Sequence, residues 1–175
     1  MALNFAQKEA IVAEVAEVAR NAYSVIGADY RGLSVEEMTD LRVRARQAGV
    51  YVRVVKNTLA KRAFQGTDFA CMEKGLSGPL VFAFSREDPG SAARVTEAFA
   101  KEHKALEVKL VAIGGKLLDP SELGMLAKMP TYDEAISQLM ALMKAPVQKL
   151  AATINEVPGK LVRTLAAIRD AKEAA

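Results

Sequence analysis

One histidine, one cysteine and no tryptophan occur among the 175 residues of this chain, and each scarcity closes off a class of function. A lone Cys71 permits no intrachain disulfide and no cysteine-based zinc site, and it suits a reducing compartment. A Cys–His nucleophilic pair would have to be drawn from Cys71 and His103 alone, and nothing around either supports it. Cys71, between Ala70 and Met72, is expected to be a small buried residue. His103, near the end of a charged helix, is expected to be solvated and favoured by the helix C-terminus. No apolar run approaches the roughly 20 residues of a membrane span. Met1-Ala2-Leu3-Asn4 lacks the basic region and apolar core of a signal peptide. Glycine-rich nucleotide loops are missing too, since Gly114-Gly115-Lys116 has the wrong spacing. The carboxylate pairs Glu36-Glu37 and Asp133-Glu134 read as helix starts, not as acid–base pairs. The expectation is a cytoplasmic protein with no active site, no cofactor, no metal and no membrane association.

What the chain does have is a hydrophobic fraction of 51%, and much of it is repeated near the end. Gln138-Leu139-Met140-Ala141-Leu142-Met143 aligns with Lys149-Leu150-Ala151-Ala152-Thr153-Ile154, and again with Lys160-Leu161-Val162-Arg163-Thr164-Leu165. Eleven residues separate successive copies, close to three helical turns, so one face returns with a drift of only about 20°. Thr131-Tyr132-Asp133-Glu134 is a capping box that opens the helix, just after Pro130. Pro146 and Pro158 each remove a backbone donor and are expected to kink or split it. Extended, the tail would expose Ile136, Leu139, Leu142, Met143, Val147, Leu150, Ile154, Leu161, Leu165 and Ile168. That exceeds the roughly 300–600 Å² patch an ordinary monomer tolerates, so a partner should cover it. A self-contained helical hairpin or three-helix bundle folding at Pro146 and Pro158-Gly159 is the alternative. Against it, Lys144-Ala145-Pro146 has no Gly, Asn or Asp to reverse the chain. The mixed charges of the polar face also disfavour a membrane-surface helix.

Net charge is only +3, but it is unevenly placed. Leu41 to Gly66 holds seven cations (Arg42, Arg44, Arg46, Arg53, Lys56, Lys61 and Arg62) and no acid, which leaves the remainder at −4 (3 − 7). Such a concentration suits a phosphate-binding surface. Arg42, Arg44 and Arg46 fan over a helix and are equally consistent with a solvated face. Lys56-Asn57-Thr58 is a sharper signal, because it joins a strand to a helix whose free amides suit phosphate. Asp29-Tyr30-Arg31-Gly32 is a second strand-to-helix corner; if the two strands are neighbours, both corners share one edge of the sheet.

Between these landmarks, helices are expected from Asn4 as N-cap to about Ala22, from Ser34 to Ala48, from Thr58 to Phe64 and from Ser91 to His103. Strands are expected at 24–30, 50–55, 80–84, 107–113 and 116–118. The pattern describes a two-layer α/β domain over residues 1–130 of undetermined sheet order, followed by a helical tail over 131–175.

Val50-Tyr51-Val52-Arg53-Val54-Val55-Lys56-Asn57-Thr58-Leu59 closely resembles the signature of the bacterial ribosomal stalk-base family, the tenth protein of the large subunit. Asp29-Tyr30-Arg31-Gly32, Pro89-Gly90-Ser91-Ala92-Ala93-Arg94, the run Leu126 to Ala135 and the run Gly159 to Ala166 extend the likeness from end to end. The resemblance implies an elaborated ferredoxin-like body followed by an extended, kinked C-terminal α-helix. The body would dock on large-subunit rRNA at the GTPase-associated centre, beside the eleventh large-subunit protein. Its contacts would be Arg31, Gly32, Arg53, Lys56, Asn57, Thr58, Lys61 and Arg62. The helix would hold dimers of the acidic stalk protein, three by the repeat and two as the alternative, through Leu139, Leu142, Met143, Leu150, Ile154, Leu161, Leu165 and Ile168. The dimers' free ends recruit translational GTPases, and family members also repress their own mRNA. The segment between Pro146 and Pro158 looks like an extra block compared with shorter members. Two other classes compete: an RNA-modifying enzyme with an oligomerising tail, for which no acid–base pair is present, and a free mRNA-binding regulator that dimerises through its tail.

Overall fold

Two helix starts written in the sequence are built by reciprocal hydrogen bonds. In the computed structural model, which describes residues 4–103 and 105–173, the Asn4 amide donates to Gln7 Oε1 at 3.0 Å and the Asn4 side chain accepts in return. This box opens α1 (Phe5–Arg20). Ser34 N donates to Glu37 Oε2 at 2.6 Å and Glu37 N donates to Ser34 Oγ at 3.2 Å, opening α2 (Val35–Gln47). Each box satisfies amides that the first helical turn leaves without partners. The remaining helices are α3 (Asn57–Phe64), α4 (Ser91–Glu102), α5 (Leu123–Ala127) and α6 (Tyr132–Glu173). A 3-10 segment over Asp68–Gly75 has no counterpart in the sequence reading.

Five strands, β1 (Ser24–Asp29), β2 (Val50–Val54), β3 (Leu80–Ser85), β4 (Glu107–Ile113) and β5 (Lys116–Leu118), form one antiparallel sheet in the order β2-β3-β1-β4-β5. All six residues of β1 and all six of β3 are buried, as central strands covered on both faces must be. The succession β1-α2-β2-β3-α4-β4, with β3 splitting β1 from β2 and β1 splitting β3 from β4, is the ferredoxin-like arrangement.

Alternate residues of the strands build separate cores. Val25, Leu80, Phe82, Phe84, Leu110 and Ala112 pack under α1, α3 and the 3-10 segment, with Phe64 edge-on to Phe82 at 5.6 Å. Ile26, Ala28, Val81, Ala83 and Val111 face α2, α4 and α5. The two layers read from the sequence are thus the sheet and the α2/α4 side. The elaborations α1 and α3 add a third layer on the opposite face. The Pro89-Gly90-Ser91 segment is an interior fitting: Ser24 Oγ donates to the Pro89 carbonyl at 2.7 Å, and a Cβ on Gly90 would stand 2.8 Å from the Leu126 carbonyl.

The chain forms two compact units, Met1–Thr131 and Tyr132–Ala175. The second is the single 42-residue helix α6, which runs through both Pro146 and Pro158. Of the kink or split expected at the prolines, the split does not occur, and a hairpin folding there is excluded. Each proline costs the ladder one donor, leaving the carbonyls of Leu142 and Ile154 without their usual partner, while the flanking Ala-, Leu- and Lys-rich turns keep helical geometry.

Candidate nucleic-acid interface and exposed helical stripe

The two basic corners meet at one end of the sheet, though not as neighbours. The strands that lead to them, β1 and β2, are separated by β3, to which each is antiparallel. They therefore run parallel to each other and deliver their C-terminal ends to the same side. The start of β3 lies between them, and its lead-in Ser77-Gly78-Pro79 joins the corners. Asn57 Nδ2 donates to the Gly78 carbonyl at 2.8 Å and to the Leu76 carbonyl at 3.4 Å. On the other side a Cβ on Gly78 would stand 3.3 Å from Arg31 Nη2 and 3.7 Å from Lys109 Nζ, and φ there is +83°. Glycine is required both for the turn and for the approach of these cations.

Around this junction the structure sorts the predicted contacts. Lys56, Thr58, Lys61 and Arg62 are exposed, and Lys56, Asn57 and Thr58 line an open groove with Tyr30, Gly78 and Pro79. Lys56 is the N-cap of α3 and makes no side-chain cap bond; the Leu59 amide donates to the Lys56 carbonyl at 2.8 Å, and the first amides of the helix, at Asn57 and Thr58, face the groove end. Asn57, whose amide group was expected to bind phosphate, is spent instead on the β3 lead-in. Arg53 is also drawn away: its guanidinium pairs with Glu14 of α1 and donates to Tyr51 Oη at 2.9 Å, while Tyr51 donates to Glu14 at 2.7 Å. Arg53 holds the Glu14 carboxyl below its ordinary value, helped by Tyr51.

Lys109 is a residue of this end that the sequence did not single out. Its ammonium donates to Asp29 Oδ2 at 2.7 Å, Arg31 Nη2 lies 3.3 Å from the same oxygen, and the Arg31 amide donates to Asp29 Oδ1 at 3.0 Å. Asp29 is only 6% exposed. The Lys109 bond, then the Arg31 amide, lower its pKa. Asp29 thereby orients Arg31, whose side chain is 70% exposed, beside Gly32. An alternating Lys in a strand gives no hint of this, because the partner carboxylate is eighty residues away.

His103 departs from its solvated expectation. It caps α4, stacks at 4.4 Å on Phe99 and places Nδ1 2.9 Å from Glu37 Oε1. Packing of α4 against α2 brings it there, and Glu37 serves both the helix cap and the imidazole. Cys71 is half-buried against the core with Sγ facing the Asp68 carbonyl. Among the described residues, no group of three or more His, Cys, Asp or Glu is placed to hold a metal, and no helix is long and apolar enough to cross a membrane.

The second candidate surface lies on α6. Leu139, Leu142, Met143, Leu150, Ile154, Leu161, Leu165 and Ile168 are all exposed, from 55% at Ile168 to 72% at Met143. Thr153 and Thr164 turn their hydroxyls onto the carbonyls of Leu150 and Leu161, each at 2.8 Å. Both hydroxyls are thus satisfied within the helix, and the equivalent places in the second and third blocks are alike.

The family model described as Ribosomal protein L10 matches residues 3–101, and one described as Ribosomal protein uL10 C-terminal region matches residues 129–157. The chain is similar throughout to bacterial proteins named large ribosomal subunit protein uL10. Identity is 67% over 174 residues with that of Thioalkalivibrio sulfidiphilus (strain HL-EbGR7), covering 99% of each chain. It is 64% with that of Psychrobacter sp. (strain PRwf-1) and 61% with that of Alkalilimnicola ehrlichii (strain ATCC BAA-1101 / DSM 17681 / MLHE-1), each over 175 residues and 100% of both chains. These relatives match at full length, so the segment between Pro146 and Pro158 does not make this chain longer than they are.

Proposed function

The chain belongs to the ribosomal protein L10 family, a structural and non-catalytic component of the large ribosomal subunit in the bacterial cytoplasm, and from that membership we propose how its two units divide the work. The α/β body anchors to large-subunit rRNA at the GTPase-associated centre, next to the eleventh large-subunit protein. Its contacts lie at the sheet end that carries Arg31, Gly32, Lys56, Thr58, Lys61 and Arg62, with Arg53 and Asn57 holding that end in shape. The helix α6 carries three dimers of the acidic stalk protein, whose free ends raise the local concentration of translational GTPases. The same RNA surface serves binding to the protein's own mRNA leader.

The observation that carries this reading is the uncovered apolar stripe in three blocks of eleven residues. Burying each large side chain is worth roughly 1.5–3 kcal/mol, so two or three per block supply a stable site once ordering costs are met. Leu139, Leu142 and Met143 make the first block the most apolar and its dimer the tightest held. Native mass spectrometry of the full chain with the acidic partner tests the count. Six partner copies per chain are expected; four at saturation would reduce one block to a spacer, and none would refute the reading.

A further inference from the structure

We infer that the open edge of the sheet at β2 is a second RNA-binding track, in which Arg42 and Arg46 of α2 hold the phosphate backbone alongside the strand; the inference rests on the rRNA reading of the body. Strand β2 is outermost in the sheet and pairs only with β3, so its outward amides and carbonyls lack strand partners. Arg42 and Arg46 line one groove with Val50, Tyr51 and Val52, and both arginines are exposed. Arg86 lies over the Tyr51 ring at 5.4 Å.

The sequence alone left three alternating arginines indistinguishable, and the structure separates them. Arg44 is consumed by Asp40 at 3.6 Å and Glu102 at 2.8 Å, and its guanidinium lies over Phe99. Among the described residues, neither Arg42, Arg46 nor Arg86 has a carboxylate within ion-pair distance. Glu87 stands at Gly49, before the strand begins. Two like charges four residues apart on a helix repel each other, an arrangement that an anion between them reverses. Arginine forks and the outward strand amides supply donors matched to phosphate oxygens, and the outward carbonyls between them suit the hydroxyls of ribose. The occupant is RNA and not an acidic peptide strand, because Val50 and Val52 pack into the sheet's own core and the cations of the groove, Arg42 and Arg46, stand four residues apart as a repeated backbone phosphate requires.

The test uses the full chain and two RNA probes, a transcript of the GTPase-associated rRNA segment and an unrelated hairpin of equal length, titrated at several salt concentrations. Arg42→Gln with Arg46→Gln should weaken binding ten-fold or more near 0.1 M salt. It should also flatten the slope of log K against log salt by roughly 1.4–1.8, the loss of two phosphate contacts. Arg42→Lys with Arg46→Lys should keep the slope, and both variants should melt as the parent does. A Gln variant with parental affinity and slope overturns the track, including the case in which it aggregates more readily and the arginines merely guard the edge. Parental binding to the hairpin alone, still dependent on the arginines, keeps the track and sinks the rRNA reading. Binding to neither probe refutes both.

Discussion

The body and the tail are built from similar apolar residues and use them in opposite ways. Phe64, Phe82, Phe84 and Ile26 of the body are sealed completely, whereas Leu142, Met143 and Val147 of α6 are about 70% exposed. The difference lies in what each unit has to close upon. A sheet with two apolar faces can be roofed by α1 and α3 on one side and by α2, α4 and α5 on the other. A single helix has no second element to meet its stripe. Periodicity therefore reports that an apolar face exists, and only the count of elements able to cover it tells whether the face is core or contact surface.

The contrast breaks most visibly in the core. Phe82→Ala should destabilise the body by about 3–5 kcal/mol in urea denaturation, while Leu142→Ala in the partner-free chain should change the same transition by less than about 0.5 kcal/mol. A stripe variant that unfolds the free chain would break the contrast. Gly90→Ala is the intermediate case. The added methyl would meet the Leu126 carbonyl at 2.8 Å and the Met129 carbonyl at 3.4 Å, so a loss of about 1–3 kcal/mol is expected from thermal melts. An unchanged melting temperature would mean that α5 yields freely.

Acid should separate the units more gently. Glu14, Asp29 and Glu37 all have carboxyl pKa values lowered from ordinary values of 4.5, 3.8 and 4.5, chiefly by Arg53, by Lys109 and by the Ser34 amide respectively. A depressed carboxyl contributes stability that is fully present above its unfolded value and is lost as pH falls through its folded one. The body's melting temperature, followed by tyrosine fluorescence, should therefore hold from neutrality to about pH 5 and decline below about pH 4.5. Glu14→Gln with Asp29→Asn should blunt that decline, and a parental acid profile in the double variant would count against these pairs.

Local chemistry made much of the fold legible. The Asn4/Gln7 and Ser34/Glu37 boxes located helix starts because both partners lie within one turn, and the alternation at 107–113 matched β4 to the residue. Sheet order was illegible, since β1 meets β3 across more than fifty residues. The insertion of β3 changed the reason the corners converge: parallel strands on either side of it, not adjacency. The 3-10 segment escaped because eight residues without a 3.6 period leave no signal. At the candidate RNA surface, composition revealed the cations but not their partners. Arg53 is claimed by Glu14, Arg44 by Glu102 and His103 by Glu37, each a long-range polar contact that leaves no mark on local sequence. Lys109 went unnoticed for the same reason.

The continuity of α6 through both prolines imposes a reading frame on the tail. Eleven residues turn the helix by about three whole revolutions, so three successive blocks point within a sector of only about 40°. A deletion or duplication of eleven residues therefore changes how many blocks the tail presents while leaving their direction almost intact. Removing nine residues would swing everything beyond the cut to the opposite side, by about 180°. Capacity in such a helix is quantised: whole blocks are added or removed in elevens, and a length change far from a whole number of turns misdirects every block downstream.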